Sequence, residues 1–515
     1  MLILVLLTTL LINLTGAINV LVWATTIGRS HVSFMGGLAD IISDNRNNVT
    51  LLLLKNDPDV NITGSKNVRN IIRFESPLIQ PNEWSYFNFK QSEIFQTKTI
   101  DMGDFFKMQS VNSRICQSLL DDPNMLNILR NGKFDVAVVE FFHFCPAGIF
   151  ELVGIKKVIL ATALGMTHAH YELLNLDVPL SYIPVQMTHL GSRISFWDRA
   201  YNILFHLASK FCYRFIRWQD QRMFNSKYGS FPDLEELYKQ KIDYVFTNTN
   251  EFTESTRPTL QRIKYIGGST TPEPQSLNED FESILSKKSK GTILFSLGSL
   301  LKSHEMPDFI KNAFIDAFKA FPEYTFIWKS ESINNFSYPN VYYRNWVPQV
   351  DLFADSRLKA FITHCGMNSV QESLFFGVPL ISLPIFADQD SNAVIAQERG
   401  YAYALDKFTV TRDDVIKALS AVLAEESVYK QKSRLASRIL KGNQKTMKEE
   451  IVRLVELSGT TEQLEHLRLN NEHLNLMQYY NLDVYIALIL APILTYFFVT
   501  RFNIVIRVRI AKQYF

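Results

Sequence analysis

The stretch 346–390 constrains the fold of this chain most, because it reads as strand, turn, helix and strand. Residues 360–363 are a short apolar run typical of a buried parallel strand, and residues 370–376 have helical character before Gly377 and Pro379 end it. Open α/β sheets bind ligands beyond the carboxyl ends of their strands, where a helix N-terminus offers unpaired N–H groups to a phosphate. The turn 364–369 therefore predicts a diphosphate site.

Length and composition indicate a globular protein with two lobes. A chain of 515 residues exceeds one ordinary core, so two lobes of roughly 200 residues each are expected. Hydrophobic residues make up 47% of the chain, and 53 basic residues nearly balance 51 acidic ones. These values exclude a disordered chain and give no basic excess for binding nucleic acid. Cys116, Cys145, Cys212 and Cys365 allow three full pairings or free thiols, and the sequence does not choose among them.

The two ends predict a membrane protein with most of its mass on the non-cytosolic side. Residues 1–14 are almost wholly apolar and small residues follow, so 1–17 is interpreted as a signal peptide. Residues 484–500 carry no charge and predict a transmembrane helix; a buried C-terminal helix is the alternative. The basic tail 501–515 has no acidic residue and is expected in the cytosol. Asn48, Asn61 and Asn335 then become candidate glycosylation acceptors.

The chain alternates strands and helices, as a parallel α/β fold requires. Strands are expected at 19–25, 49–54, 134–139, 157–160 and 244–248, and later at 292–297, 325–328, 341–344 and 360–363. Helices are expected at 32–42, within 88–131, and at 306–321, 370–376, 389–399, 413–424 and 428–456. Residues 267–290, rich in Gly, Ser, Thr, Pro and charge, predict a linker between a first lobe at 18–266 and a second at 291–457. Residues 458–483 would lead to the membrane.

Residues 187–228 combine aromatic and basic side chains at loosely helical spacing. Two interpretations remain open for this segment. It is either a pair of amphipathic core helices, or a surface that faces a membrane or a substrate channel.

Four short motifs resemble those of a known enzyme family. They are NWVPQ at 345–349, HCGMNSVQE at 364–372, GVP at 377–379 and FADQ at 386–389. Together they resemble the signature of the UDP-glycosyltransferases, specifically the membrane-bound UDP-glucuronosyltransferases of animals. The resemblance covers nearly the whole chain. It implies an α/β fold of two facing Rossmann-like domains, the GT-B type, and a UDP-sugar as donor.

The residue types in these motifs suit the parts of a UDP-sugar. Trp346 offers a flat apolar face for uracil, and Gln349 can pair with the edge of the base. Glu372 lies four residues after Asn368 on the same helix face and can accept both ribose hydroxyls, although Ser369-x-x-Glu372 is also the pattern of a capping box. The remaining residues of the expected donor site, mostly at the diphosphate, are Ser299, His364, Gly366, Asn368 and Ser369.

The resemblance implies that Asp388 and Gln389 hold the sugar hydroxyls. With Asp390 they also form D-x-D, a pattern that grips a divalent metal in another class of glycosyltransferase. Because the helix N-terminus and His364 are expected to supply positive character at the diphosphate, Asp388 is interpreted as a sugar contact. We therefore expect no metal and no tightly bound cofactor.

His31 follows the first strand, where a cleft is expected to open. A single histidine is more often structural, but the resemblance implies that it is the general base that removes a proton from the acceptor. The resemblance also implies an aspartate partner after strand 134–139, where this chain has Glu140. The extra methylene leaves the geometry of that pair open. His143 is an alternative partner or acceptor contact, or a loop histidine without a role.

These expectations describe an inverting transferase with lumenal lobes and a single type I span in the endoplasmic reticulum. It would move a sugar from UDP to small lipophilic acceptors, acting alone or as a homo- or hetero-oligomer. Glucuronate is the donor that the resemblance favours, and glucose fits Asp388 and Gln389 nearly as well. A different hypothesis is a catalytically silent subunit that binds a UDP-sugar or a partner.

Overall fold

A computed structural model describes residues 17–44, 47–80, 91–97, 102–331, 338–461, 464–471 and 473–513. The chain divides into two units, residues 1–173 with 177–467 and residues 174–176 with 468–515. Residues 1–16 of the expected signal peptide and the candidate acceptor Asn335 lie outside the described residues.

The first lobe is built on a seven-stranded parallel sheet with the order β3-β2-β1-β4-β5-β6-β7. Its strands are β1 (Asn19–Thr25), β2 (Asn48–Leu54), β3 (Asn70–Phe74), β4 (Val136–Glu140), β5 (Val158–Thr162), β6 (Ile242–Thr247) and β7 (Ile263–Tyr265). The central strands are almost continuously buried, which explains their unbroken apolar runs. Strand order reverses between β1 and β4, the place where open α/β sheets form their binding crevice.

The second lobe has a six-stranded parallel sheet with the order β10-β9-β8-β11-β12-β13. Its strands are β8 (Thr292–Ser296), β9 (Thr325–Lys329), β10 (Val341–Arg344), β11 (Leu358–Thr363), β12 (Leu380–Ser382) and β13 (Ala402–Ala404). Here the order reverses between β8 and β11, so the turns that follow these two strands lie side by side.

In the part of the chain that the structure describes, helices lie in both lobes and in the C-terminal unit. They are α1 (Arg29–Ser43), α2 (Gln91–Ile94), α3 (Met102–Leu120), α4 (Pro123–Asn131), α5 (Cys145–Val153), α6 (His168–Leu173), α7 (Phe196–Tyr228), α8 (Leu234–Lys241), α9 (Glu279–Leu285), α10 (Asp308–Lys319), α11 (Gln349–Ala354), α12 (Met367–Phe376), α13 (Gln389–Glu398), α14 (Arg412–Leu423), α15 (Val428–Thr460), α16 (Leu476–Tyr479) and α17 (Leu482–Gln513). Short 3-10 turns form at Ser303–Glu305 and Glu465–Leu467.

The observed elements differ from the expected ones in several places. Strand β6 is not the last strand of the first lobe, because β7 pairs beside it. Residues 187–228 hold one 33-residue helix, α7, and not a pair. The linker 267–290 contains α9, whose Phe281 and Leu285 belong to the second core. Helix α15 crosses from one lobe to the other: Leu440 packs in the second core and Val455 in the first, so the second lobe does not hold all of 291–457.

One disulfide joins Cys116 near the end of α3 to Cys145 at the start of α5, with their Cα atoms 6.1 Å apart. Cys212 and Cys365 are free thiols. The structure therefore selects one of the cysteine arrangements that the sequence left open.

The C-terminal unit contains one helix long and apolar enough to cross a membrane. This span covers Leu482–Arg509, with a mean hydropathy of 2.1, and none of it is buried against protein. The apolar stretch expected at 484–500 lies within it, and the buried-helix alternative is wrong.

Candidate active site

His31 and Glu140 meet at the switch point of the first sheet. His31 lies in the first turn of α1, just beyond β1, and Glu140 is the last residue of the neighbouring strand β4. His31 Nδ1 is 2.8 Å from Glu140 Oε1, which also accepts a hydrogen bond of 2.9 Å from the Ala163 N–H. Because an ionised carboxylate only accepts, Nδ1–H donates, and Nε2 remains the basic nitrogen of the ring. The longer glutamate side chain thus reaches the histidine.

The surroundings of His31 favour its charged form. Burial alone would lower the pKa of His31, but the charge and hydrogen bond of Glu140 outweigh it, with a further contribution from Asp388 in the second lobe. The pKa is therefore raised above its ordinary value. Phe142 packs against the imidazole with the ring centroids 5.4 Å apart. An imidazole, a carboxylate and an aromatic ring thus lie together at one place.

His143 is not the partner of His31. Its side chain is buried, with Nδ1 3.6 Å from Asp220 Oδ2. The same carboxylate oxygen accepts hydrogen bonds from the backbone N–H groups of Phe144 and Cys145, at 2.7 and 3.1 Å. His143 therefore belongs to a polar cluster at the start of α5.

In the second lobe, α12 starts directly after the turn that follows β11. Gly366 is its N-cap residue, and no side chain caps the helix. Ser369 lies inside the helix and accepts a hydrogen bond of 3.3 Å from Gln349 Nε2, which also donates to Glu372 at 2.7 Å. The capping-box alternative for Ser369 and Glu372 is therefore wrong. Burial raises the pKa of Glu372 to about 7, although the Gln349 bond opposes the shift.

His364 is enclosed by two glycines from neighbouring turns. A Cβ atom on Gly298 would lie 2.6 Å from the imidazole, and one on Gly366 would lie 2.7 Å from it. Burial and the charge of Lys329 lower the pKa of His364 to about 4. The expectation that His364 supplies positive character is therefore wrong, because the ring is neutral at ordinary pH. The nearby cation is Lys329, at the end of β9.

Two turns of this lobe hold non-glycine residues in the left-handed region of backbone space. Cys365 has a φ of 64° and Ala387 a φ of 58°. Such conformations cost of order 1–3 kcal/mol for residues with a side chain and cluster at binding sites. They occur in the two motifs that carry His364 and Asp388.

A tripeptide of the first lobe touches the second lobe. The Arg29 guanidinium lies 4.4 Å from the centre of the Trp346 ring, a side chain that is 53% exposed. The Ser30 carbonyl accepts a hydrogen bond of 3.0 Å from Asn368 Nδ2, and His31 follows directly. The consecutive residues 29–31 therefore connect Trp346 and the first turn of α12 with the pair of His31 and Glu140.

Asp388 and Gln389 lie at the start of α13, and both are buried. Burial raises the pKa of Asp388 to about 6, while a 2.6 Å hydrogen bond from Asn392 and the charge of His31 oppose the rise. Gln389 Oε1 accepts the backbone N–H groups of Ile385 and Phe386 at 3.0 and 3.1 Å. Only the amide nitrogen of Gln389 is thus left for a ligand.

Within the described residues, no group of three or more His, Cys, Asp or Glu side chains is placed to hold a metal. The expected role of Asp388 and Gln389 as sugar contacts stays a prediction. Ser299, in the turn after β8, is exposed and also keeps its role only as a prediction.

Comparison with known proteins decides the family. The family described as "UDP-glucoronosyl and UDP-glucosyl transferase" matches residues 19–513. The chain belongs to this family. It is 28% identical over 510 residues to the putative UDP-glucuronosyltransferase ugt-48 of Caenorhabditis elegans, covering 94% of each chain. It is also 28% identical to UDP-glucosyltransferase 2 of Dactylopius coccus, covering 80% of this chain and 79% of the relative.

Solved structures confirm the GT-B fold of this glycosyltransferase. That of Medicago truncatula UGT71G1 complexed with UDP-glucose matches with a TM-score of 0.55 and 16% identity, covering 86% of this chain and 99% of that one. At this identity the likeness concerns the fold.

Three residues at the site were missed by sequence reasoning: Arg29, Lys329 and Asn392. A lysine ending an apolar strand was a usable signal for Lys329, since a lysine is almost never fully buried unless it is paired, and here its partner is Glu331. Arg29 carries no such signal, because its contact with Trp346 comes from the approach of separate segments. Asn392 lies four residues after Asp388, and that helical spacing was also a usable signal.

Proposed function

We propose that this glycosyltransferase moves glucuronic acid from UDP-glucuronate to a hydroxyl group of a small lipophilic acceptor, with inversion at the anomeric carbon. The observation that carries the proposal is the pair of His31 and Glu140 at 2.8 Å, within electrostatic reach of Asp388 in the opposite lobe. A base and a donor site on facing lobes are what such a transfer requires.

His31 acts as the general base. Its Nε2 takes the proton of the acceptor hydroxyl while that oxygen forms a bond to the anomeric carbon. The bond from this carbon to the diphosphate oxygen breaks, and UDP leaves with the electron pair. Glu140 stabilises the imidazolium that forms and holds the ring in the reactive tautomer. The Phe142 ring beside the imidazole suits an apolar or aromatic acceptor.

The second lobe binds UDP. Trp346 stacks on uracil, and Gln349 and Glu372, already hydrogen-bonded to each other, meet the base and the ribose. The diphosphate lies at the N-terminus of α12. The residues proposed for the diphosphate are Ser299, His364, Gly366, Asn368 and Ser369. His364 contributes as a neutral hydrogen-bonding group, and Lys329 supplies the positive charge. Asp388 and Gln389 hold the sugar.

The proposal also specifies which sugar the donor carries, glucuronate or glucose. The Caenorhabditis elegans relative is named a putative glucuronosyltransferase, whereas the Dactylopius coccus relative is named a glucosyltransferase. Glucuronate is proposed first, and a glucosyl donor is the second candidate because that relative is similar over most of the chain.

We place the enzyme in the endoplasmic reticulum membrane, with its two lobes in the lumen and the span at Leu482–Arg509 as a single type I anchor. The disulfide between Cys116 and Cys145 supports an oxidising compartment. The exposed Asn61 suits a glycan, while Asn48 already donates to Asn19 at 2.9 Å.

A donor panel tests this function. The full chain, purified in detergent with a chelator present, is incubated with a phenol and radiolabelled UDP-glucuronate, UDP-glucose or another UDP-sugar. We expect transfer from UDP-glucuronate to exceed transfer from UDP-glucose. The reverse order would establish the glucosyl alternative. UDP binding without transfer from any donor would refute the proposed transferase activity and favour a catalytically silent subunit. A requirement for added metal would contradict the metal-free mechanism.

A further inference from the structure

The side chain of Asn248 lies between the two lobes. Asn248 directly follows β6 and is buried. Its Nδ2 donates two hydrogen bonds, one of 3.0 Å to the Ala163 carbonyl of the first lobe and one of 2.6 Å to Asn368 Oδ1 on α12 of the second lobe. Both hydrogens of the amide nitrogen are therefore used, which offsets the cost of burying a polar side chain. Asn248 thus joins a turn of the first lobe to the helix that begins at the proposed diphosphate site.

Ala163 connects Asn248 with the pair of His31 and Glu140. The Ala163 N–H donates to Glu140 Oε1 at 2.9 Å, and the same oxygen lies 2.8 Å from His31 Nδ1. The other carboxylate oxygen, Glu140 Oε2, is buried and has no hydrogen-bond partner within the described residues. The orientation of this carboxylate therefore depends on the two contacts of Oε1, and Asn248 holds the residue that provides one of them.

Asn368 connects Asn248 with the same histidine from the other side. Its Oδ1 accepts the bond from Asn248, and its Nδ2 donates to the Ser30 carbonyl at 3.0 Å. These two bonds fix the orientation of the Asn368 amide and leave its second N–H for a phosphate oxygen. Because Ser30 directly precedes His31, the contacts close into a ring that passes through both lobes. Its members are His31, Glu140, Ala163, Asn248, Asn368 and Ser30.

The end of β6 does not itself require the side chain of Asn248. Its backbone N–H donates to the Thr162 carbonyl at 3.0 Å, and its backbone carbonyl accepts from Gln371 Nε2 at 3.0 Å. An asparagine in a turn commonly bonds its own backbone two residues on. Here the side chain instead bonds residues that are 85 and 120 positions away in the chain. Its contacts therefore connect distant segments and do not build the local turn.

We propose that Asn248 is a positioning residue for sugar transfer, which fixes the pair of His31 and Glu140 relative to the turn that holds the donor diphosphate. Reacting groups must be held in a near-attack geometry, and a misplacement of about 1 Å costs roughly 10²-fold in rate. The base and the donor lie on different lobes, so a side chain that bonds to both lobes sets the distance between them. The inference rests on the proposed function, and its first test uses UDP alone.

Hydrogen exchange tests the connection without turnover. The full chain in detergent is compared with and without saturating UDP, and mass spectrometry follows exchange in peptides that cover residues 160–166. We expect UDP to slow this exchange several-fold in the wild type and to have no such effect in Asn248→Ala. The matched control is Asn250→Ala, which removes a different bond between the lobes, from Asn250 Nδ2 to Gln371 Oε1 at 2.8 Å, and also bonds within the turn. This control should keep the effect of UDP.

Kinetics test the consequence for the reaction. In Asn248→Ala we expect kcat to fall roughly 10- to 10²-fold, with a much smaller change in KM for the UDP-sugar. Asn250→Ala should keep kcat near the wild-type value although its thermal unfolding temperature falls at least as far. Asn248→Ser, whose hydroxyl can still donate one bond, should retain more of kcat than Asn248→Ala. In the Glu140→Gln background the further loss from Asn248→Ala should be much smaller, because both changes act on the same carboxylate.

Three results would overturn the proposal. They are a UDP effect on residues 160–166 that is absent from the wild type or persists in Asn248→Ala, equal kcat in Asn248→Ala and Asn250→Ala, and additive losses for Asn248→Ala and Glu140→Gln. A wild type that binds UDP and transfers no sugar would refute the proposed function, and the exchange result would still decide whether Asn248 connects the two sites.

Discussion

His31 and His364 are one histidine from each lobe, and the shifts of their pKa values are opposite. Each follows a strand at the switch point of its sheet, and each is largely enclosed by protein. His31 has Glu140 at 2.8 Å, and its pKa is raised. His364 has two glycines against its ring and Lys329 nearby, and its pKa is lowered to about 4. Burial lowers the pKa of both rings, and the carboxylate of Glu140 reverses that shift only at His31.

Removing His31 should have the largest effect. In His31→Ala we expect kcat to fall roughly 10²- to 10⁴-fold, the usual contribution of a general base. The affinity for UDP, measured by calorimetry, should stay the same because UDP is proposed to bind the other lobe. Undiminished turnover in His31→Ala would show that His31 is not the base, and the contrast with His364 would then have no catalytic meaning.

Glu140→Gln should move the pH dependence of the rate. The base must be deprotonated, so log kcat/KM of the wild type rises with pH through the raised pKa of His31. Without the carboxylate charge of Glu140, the lowering effect of burial is opposed only by the smaller contribution of Asp388, so the rising limb moves to lower pH. The plateau value of kcat/KM should fall by roughly 10²-fold. The reason is that the variant neither stabilises the imidazolium by charge nor fixes the tautomer of the neutral ring.

Glu140→Asp is the control for that prediction, since it keeps the charge and shortens the side chain by one methylene. We expect it to retain the position of the pH limb better than Glu140→Gln. An unchanged pH profile in Glu140→Gln would show that Glu140 does not set the pKa of His31.

His364→Asn should weaken donor binding without moving the pH profile. Loss of a neutral hydrogen bond corresponds to roughly 2- to 10-fold in affinity for UDP. Because His364 is neutral above about pH 5, the pH limb should remain where the wild type has it. A shift of that limb would mean that both histidines titrate during turnover, and the contrast between them would be lost.

Arg29→Ala should have the smallest effect. Its guanidinium is 4.4 Å from the Trp346 ring, an interaction of about 0.5–1 kcal/mol at exposed sites. We expect KM for the UDP-sugar to change roughly 2- to 5-fold with kcat nearly constant. Arg29→Lys is the matched control that keeps a cation. A large loss of kcat with unchanged KM would place Arg29 in the chemical step.

Long and strongly patterned elements were predictable from the sequence. The buried strands β1, β2 and β11 were predicted within two residues of their bounds, because continuous burial leaves an unbroken apolar run. Strands β3, β7 and β13 were not predicted. Two of these have only three residues, and a strand that short exists only because a neighbour is there to pair with it.

The site was predictable to the same degree and for a related reason. Contiguous sequence motifs contain Trp346, Gln349, Asn368 and Glu372, so these residues can be found from their spacing alone. The charge state of His364 was not predictable, because Lys329 comes from a different strand and the enclosing Gly298 from a different turn. Two residues on one helix can be related by counting, whereas contacts between separate segments cannot.

The sequence by itself determined the family, the α/β class, the UDP-sugar motifs and the membrane-length helix, since each is written in adjacent or regularly spaced residues. Only the tertiary structure decided that Glu140 reaches His31, that His143 pairs elsewhere and that Asn248 bonds to both lobes. These depend on distances between segments far apart in the chain, and in a closely packed interior one methylene or one nearby charge changes the outcome.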